Sequence, residues 1–171
     1  MQRVLVMGCS GSGKSTLGQA LARQIGVPYV SLDALYWQPG WKPSDDATFD
    51  SKVAAEAAKP TWVIDGNYVR HAGELRRARA DTVIWFDLPR WICLFRVLSR
   101  IARTYGTVRS DMAAGCPEQF DLEFLHYIWT FRTRQRPRLL SYFAGLREDQ
   151  RLITIRQNCD VSAVLTQAEV R

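Results

Sequence analysis

The sequence predicts an α/β domain: a mostly parallel sheet with helices on both faces. Three observations point there. Apolar runs of strand length alternate with helix-period segments along the 171 residues, a glycine-rich loop joins the first strand to the first helix, and aspartates close the second and third strands.

The elements follow in order. Residues 3–7, Arg-Val-Leu-Val-Met, are a short, mainly apolar run suited to a buried parallel strand. Residues 14–25 read as a helix because Leu17, Leu21 and Ile25 recur at helical spacing, and Gly26-Val27-Pro28 ends it. A second strand over 29–32 closes on Asp33, and 36–44 is irregular and aromatic, with Trp37, Pro39, Gly40, Trp41 and Pro43. The Ala-rich stretch 46–58 predicts a helix, and 62–64 a third strand closing on Asp65-Gly66. A helix near 71–79 leads to a fourth strand over 82–86. Two longer helices, roughly 90–103 and 121–136, flank a loop over 104–119 that contains Gly106, Gly115 and Pro117. A fifth strand at 152–155 and a final helix with Asp160 as N-cap complete the pattern. No repeat, low-complexity tract or interdomain linker interrupts it, so a single domain over 1–171 is expected.

Composition narrows the class. With 47% hydrophobic and 23% charged residues the chain can build a sizeable core, which excludes disordered, collagen-like and disulfide-scaffold classes. No apolar run approaches the roughly 20 residues that span a bilayer, and the first apolar stretch is too short for a secretory leader. Cys9, Cys93, Cys116 and Cys159 are scattered without a CxxC pair, so reduced thiols in a cytoplasmic protein are expected. The net charge of +6 is local: residues 90–138 hold nine arginines and no lysine against four acids. Arginine suits planar, bidentate recognition of phosphate or carboxylate, so this surplus points to a small anionic ligand at least as readily as to nucleic acid.

Gly8-Cys9-Ser10-Gly11-Ser12-Gly13-Lys14-Ser15-Thr16 matches GxxxxGK[ST] directly after the first strand. Its glycines let backbone N–H groups curl around phosphate oxygens, and the following helix adds its positive end. Lys14 is expected to reach the β/γ-phosphates of a nucleotide, and the Ser15 hydroxyl to ligate Mg²⁺. The dinucleotide fingerprint fails, because Thr16 stands where its third glycine belongs.

Asp65 ends its strand in the manner of a carboxylate presented to a metal-bound water, or else caps the turn that Gly66 makes. Asp33 can orient a hydroxyl acceptor and take its proton; as an alternative it caps a turn. On the helix after the fourth strand, Trp91, Leu94, Phe95 and Leu98 share one face, and Arg96, Arg100 and Arg103 gather opposite. Arg132 and Arg136 form an i, i+4 pair on the next helix. These faces are either solvated or part of a hinged lid that closes on transferring phosphates. Trp37 and Trp41 enclose a substrate ring or pack in the interior. His71 and His126 lack a partner at any telling spacing, and the arginines over 132–138 carry no nucleic-acid recognition pattern.

The phosphate loop, the Asp-Gly after the third strand and the paired arginines after the fourth resemble the nucleoside monophosphate kinase-like P-loop proteins. Leu32-Asp33-Ala34-Leu35-Tyr36-Trp37, Pro39-Gly40-Trp41, Val63-Ile64-Asp65-Gly66-Asn67-Tyr68, Asp111-Met112 and Gly115-Cys116-Pro117-Glu118 are similar to an adenylate kinase-related subgroup, the DNA topology modulation (FlaR-like) proteins. The resemblance spans nearly the whole chain. It implies a three-layer P-loop NTPase fold with a five-stranded parallel sheet in order 2-3-1-4-5, an acceptor-binding insertion at about 34–60 and a small helical lid at about 104–120. It also implies ATP and Mg²⁺, with Gly8, Gly11, Ser12, Gly13, Lys14, Ser15 and Thr16 around the phosphates and Asp65 near the metal. Arg96 and Arg100 match lid-base arginines, and the turn at 155–158, with Arg156, matches an adenine-contacting loop. Asn67-Tyr68 replaces Phe-Pro, Arg70 is displaced by one position, and only Lys42 stands where a phosphate-binding arginine follows the second strand. Asp33 resembles the acceptor-site acid of shikimate or gluconate kinase.

The expectation is therefore a small-molecule phosphotransferase dependent on ATP and Mg²⁺, acting on a hydroxyl compound or a nucleotide, without membrane contact. Lys14, Asp33, Arg96, Arg100, Arg132 and Arg136 are its candidate catalytic groups. The alternative is a nucleotide-sensing regulatory or DNA-topology-associated ATP-binding protein with weak or no transfer.

Overall fold

The computed structural model describes residues 1–169, the side chains of residues 158, 159 and 169 excepted. Along the chain come β1 (Arg3–Gly8), α1 (Lys14–Ile25), β2 (Tyr29–Ser31), α2 (Leu32–Tyr36), β3 (Trp37–Gln38), β4 (Lys42–Pro43), α3 (Asp46–Ala58) and β5 (Trp62–Asp65). Then follow α4 (Gly73–Arg79), β6 (Thr82–Phe86), α5 (Arg90–Thr104), α6 (Leu122–Arg134), α7 (Arg136–Ala144), β7 (Arg151–Ile155) and α8 (Asn158–Glu169).

Five strands pair in parallel in the order β2-β5-β1-β6-β7, which is the 2-3-1-4-5 order of the five expected strands. The apolar runs explain why. Alternate side chains of each strand enter different cores, so both faces must be covered. Val4, Val6, Val63, Ile84 and Phe86 pack with Leu17 and Leu21 of α1 and Val164 of α8. Leu5, Met7, Ile64, Val83 and Trp85 pack with Phe49 and Val53 of α3, Cys93 and Val97 of α5, and Ile128 and Phe131 of α6. The carboxyl ends of β1, β2 and β5 thus open on one edge, where Asp65 lies between Ser31 and Val6 and Gly8 carries β1 two residues further.

Several elements differ from expectation for identifiable reasons. β2 ends at Ser31, whose Oγ accepts a hydrogen bond from the Ala34 amide (3.2 Å) and caps α2, so Asp33 lies in a first helical turn. Residues 37–43 are not irregular: Trp37 pairs with Pro43 and Gln38 with Lys42 in an antiparallel hairpin. The helix expected over 121–136 breaks at Gln135, because Pro137, in the first turn of α7, has no N–H to extend α6. Asp160 is not an N-cap. From inside α8 its Oδ2 accepts the amides of Arg156 (2.8 Å) and Gln157 (3.0 Å).

On α5 the bulky stripe faces outward. Trp91 is 64% and Phe95 72% exposed, whereas Cys93, Val97 and Ile101 are buried. The reason lies in the phosphate loop. A Cβ at Gly11 would meet the Cys93 carbonyl at 2.4 Å and Val97 Cγ2 at 2.7 Å, so only small side chains fit where the loop rests on α5. Arg90, at the start of α5, holds its guanidinium 4.0 Å above the ring of Trp129 on α6. Cys9, Cys93 and Cys116 are free and buried; the Cys159 side chain lies outside the described residues.

Candidate active site

The phosphate loop leaves β1 through Gly8 and enters α1 at Gly13, both with positive φ (143° and 103°). No side chain caps α1, so its first amides remain open to an anion. The Lys14 ammonium folds back over the loop and donates to the Cys9 carbonyl (3.0 Å). Arg96 reaches across from α5 to donate to the Ser12 carbonyl (3.0 Å). Ser10, Gly11, Lys14 and Ser15 form one end of a cavity of about 630 Å³.

Asp65 is 5% exposed at the end of β5. Its Oδ2 accepts from the Ser15 hydroxyl (2.6 Å) and the Tyr29 hydroxyl (2.9 Å), while its buried Oδ1 has no partner. Burial raises its pKa, opposed by the charge of Lys14. An orphaned carboxylate oxygen beside a serine hydroxyl fits Mg²⁺, which takes one or two carboxylates together with water and substrate phosphates. Thr16 is exposed, outside this contact set.

Asp33 lines the same cavity. Its Oδ1 accepts from the Tyr68 hydroxyl (2.7 Å), and among the described residues Oδ2 has no protein partner. Burial, and then the neighbouring Asp33 charge, pushes the Tyr68 phenol up, so it stays a proton donor. Asn67, which the shared sequence runs include without giving it a role, brackets the start of the loop. Its Oδ1 accepts the Gly8 amide and its Nδ2 donates to the Gly8 carbonyl, both at 2.9 Å.

Over the cavity, the β3–β4 hairpin meets the segment between α5 and α6. Gly40 donates to the Gly115 carbonyl (2.8 Å), the Trp41 indole to the Pro117 carbonyl (3.0 Å) and the Cys116 thiol to the Gln38 carbonyl (3.1 Å). The same segment carries Glu118, 8% exposed, which pairs with Arg100 (2.9 Å) and Arg109 (3.6 Å). Burial, and then the like charge of Arg109, lowers the Arg100 pKa.

Arg132, Arg136 and Arg156 do not join this cavity. Arg136 makes a bidentate pair with Asp87 (2.9 Å for each bond), and Arg132 lines the same small recess behind the loop, beside Cys9 and Phe86. Arg138, two residues further along α7, lines the main cavity instead, together with Arg70. Arg156 is exposed on the turn after β7. Trp37 and Trp41 do both things expected of them: they pack edge to face on each other (ring centroids 5.5 Å apart) and line the cavity.

A parallel sheet in this order, with a glycine-rich anion loop after its central strand, defines the P-loop kinase fold. Solved structures agree. The chain is similar to a gluconokinase from Sinorhizobium meliloti 1021, with a TM-score of 0.55 and 18% identity over 99% of this chain and 90% of that one. It is also similar to shikimate kinase from Bacteroides thetaiotaomicron, with a TM-score of 0.57 and 14% identity over 99% of this chain and 97% of that one. At these identities the likeness carries the fold. No family model matches the sequence, and no curated protein matches it at a significant level.

Proposed function

We propose that this chain is an ATP-dependent phosphotransferase whose acceptor is a small molecule bearing a hydroxyl group. The observation that carries the reading is one cavity with the phosphate loop at one end and the Asp33–Tyr68 pair lining it as well. An acceptor that is itself a phosphate needs no base; a hydroxyl does.

In the proposed step the acceptor oxygen attacks the γ-phosphorus. A new O–P bond forms, the bond to the β–γ bridging oxygen breaks, and ADP leaves. The acceptor proton passes to Asp33 Oδ2, the oxygen that Tyr68 leaves open. Tyr68 holds the carboxylate in orientation through Oδ1. The loop amides and Lys14 bind the polyphosphate, and Lys14 exchanges its bond to the Cys9 carbonyl for phosphate oxygen. Ser15 and Asp65 would hold Mg²⁺, which when bound neutralises charge on the phosphate oxygens. Arg96 and Arg100 come from α5 to the same anion, with residues 104–120 acting as a lid and 34–60 as the acceptor flap. Arg132 and Arg136, at the recess behind the loop, are left out of this proposed step, and Arg156 remains a candidate for the base of the nucleotide.

The sequence runs shared with the FlaR-like proteins support placing the chain near that subgroup. The regulatory alternative shares the nucleotide half of the site and differs only in lacking transfer. A screen of nucleosides, nucleotides, sugars and hydroxy acids with ADP release as readout tests the proposal. Acceptor-dependent ADP release that Lys14→Ala abolishes is the expected result; ATP binding without transfer to any hydroxyl compound would favour the alternative.

A further inference from the structure

Arg76, on α4, is the one fully buried cation among the described residues (0% exposed), yet it makes no ion pair there. A buried charge is tolerated only when its donors are used. Here the Nη donors converge on the backbone of residues 66–71, while the buried Nε has no partner among the described residues. Nη2 donates to the carbonyls of Tyr68 (2.7 Å), Asn67 (3.2 Å) and His71 (3.4 Å), and Nη1 to that of Gly66 (3.5 Å). The segment is curled to present them. Gly66 and Tyr68 both have positive φ (137° and 24°), a conformation a tyrosine keeps only where its surroundings enforce it. A side chain needed merely to fill this space would be apolar.

The segment reaches both halves of the site. Asn67 brackets Gly8 at the mouth of the phosphate loop, and Tyr68 donates to Asp33. We infer that Arg76 is a positioning residue: its guanidinium fixes residues 66–71 so that Asn67 sets the entrance of the phosphate loop and Tyr68 sets the orientation of Asp33. It touches neither nucleotide nor acceptor. The catalytic meaning of this rests on the phosphotransferase reading above; the geometric coupling does not.

The test is residue-resolved amide hydrogen exchange on the full chain, comparing wild type with Arg76→Met, Arg76→Lys and Asn67→Ala. Losing a charge-assisted hydrogen-bond cluster should speed exchange at Gly8 by about tenfold to a hundredfold in Arg76→Met and in Asn67→Ala. The core amides of Leu5 and Ile84 should stay at their wild-type rates. A variant combining Arg76→Met with Asn67→Ala should exchange at Gly8 no faster than either single one. Arg76→Lys, a point donor in place of a fork, should fall between, and it carries the test alone if Arg76→Met does not fold. Unchanged exchange at Gly8, or acceleration of Gly8 and the core together, would overturn the inference. A second arm measures steady-state turnover of Mg²⁺-ATP with water as acceptor. Arg76→Lys should lower kcat about tenfold, and adding Tyr68→Phe should lower it little further; full additivity would refute the link to Asp33. Failure of every hydroxyl compound in the acceptor screen would remove the phosphotransferase reading, while the exchange data would still decide the role of Arg76.

Discussion

Replacing Asp33 by asparagine isolates the proposed proton acceptor. The amide keeps the volume of the carboxylate, and its carbonyl oxygen can still accept from the Tyr68 hydroxyl, so the 2.7 Å contact and the wall of the cavity survive. What disappears is the basic oxygen, Oδ2. Removing a positioned general base lowers the rate by about 10²–10⁴. Asp33 makes no hydrogen bond to the phosphate loop, so nucleotide affinity should move by less than about threefold. The assay pairs ADP release, using the best acceptor from the screen, with titration of a fluorescent ATP analogue. A kcat within threefold of wild type, or a parallel loss of nucleotide affinity, would refute the base assignment.

Other consequences are equally specific. Gly11→Ala forces a side chain into a positive φ (79°) and against the Cys93 carbonyl, so it should cost about 2–5 kcal/mol in a denaturant titration; a neutral result would mean the loop does not rest on α5 as described. Arg136→Ala removes a partly exposed bidentate pair and should lower stability by about 1 kcal/mol while leaving kcat unchanged; a large loss of kcat would return Arg136 to the active site. Burial raises the pKa of Asp65, so the folded chain binds a proton there that the unfolded chain has released. The nucleotide-free protein should therefore lose stability as pH rises from the ordinary carboxylate range toward the raised value. Asp65→Asn should lack that loss, melt higher at neutral pH and fail to bind Mg²⁺-ATP, as thermal melting across pH and nucleotide titration will show. Trp41→Phe removes the bond to the Pro117 carbonyl and should speed alkylation of buried Cys116, with nucleotide restoring protection; identical alkylation rates would rule out the hairpin as a clasp.

The sheet was legible because its signal is local and redundant: each strand is an apolar run, and each connection has a helix period. The places of the glycine-rich loop between β1 and α1 and of Asp65 at the end of β5 were legible because one has a fixed spacing and the other closes an apolar run. The rest depends on pairings that spacing does not encode. Asn67 grips Gly8 from 59 positions away, and nothing in Asn-Tyr distinguishes a bracket from a turn. Helix α5 has two stripes at helical spacing, and the bulkier one is outside because the loop needs small residues beneath it. Arg132 and Arg136 looked like one face until the Pro137 break put them on different helices, and the bond to Asp87 spans 49 positions. Arg138 and Arg76 sit in ordinary basic helix sequence; burial and cavity exposure separate them from their neighbours only in three dimensions.

A crystal structure of the chain with Mg²⁺ and a non-hydrolysable ATP analogue addresses the nucleotide assignment most directly. The triphosphate should lie in the curl of residues 8–15, with Lys14 Nζ transferred from the Cys9 carbonyl to phosphate oxygen and the metal between Ser15 and Asp65. A nucleotide bound elsewhere, with Lys14 still on Cys9 and Asp65 Oδ1 still unpartnered, would contradict the account.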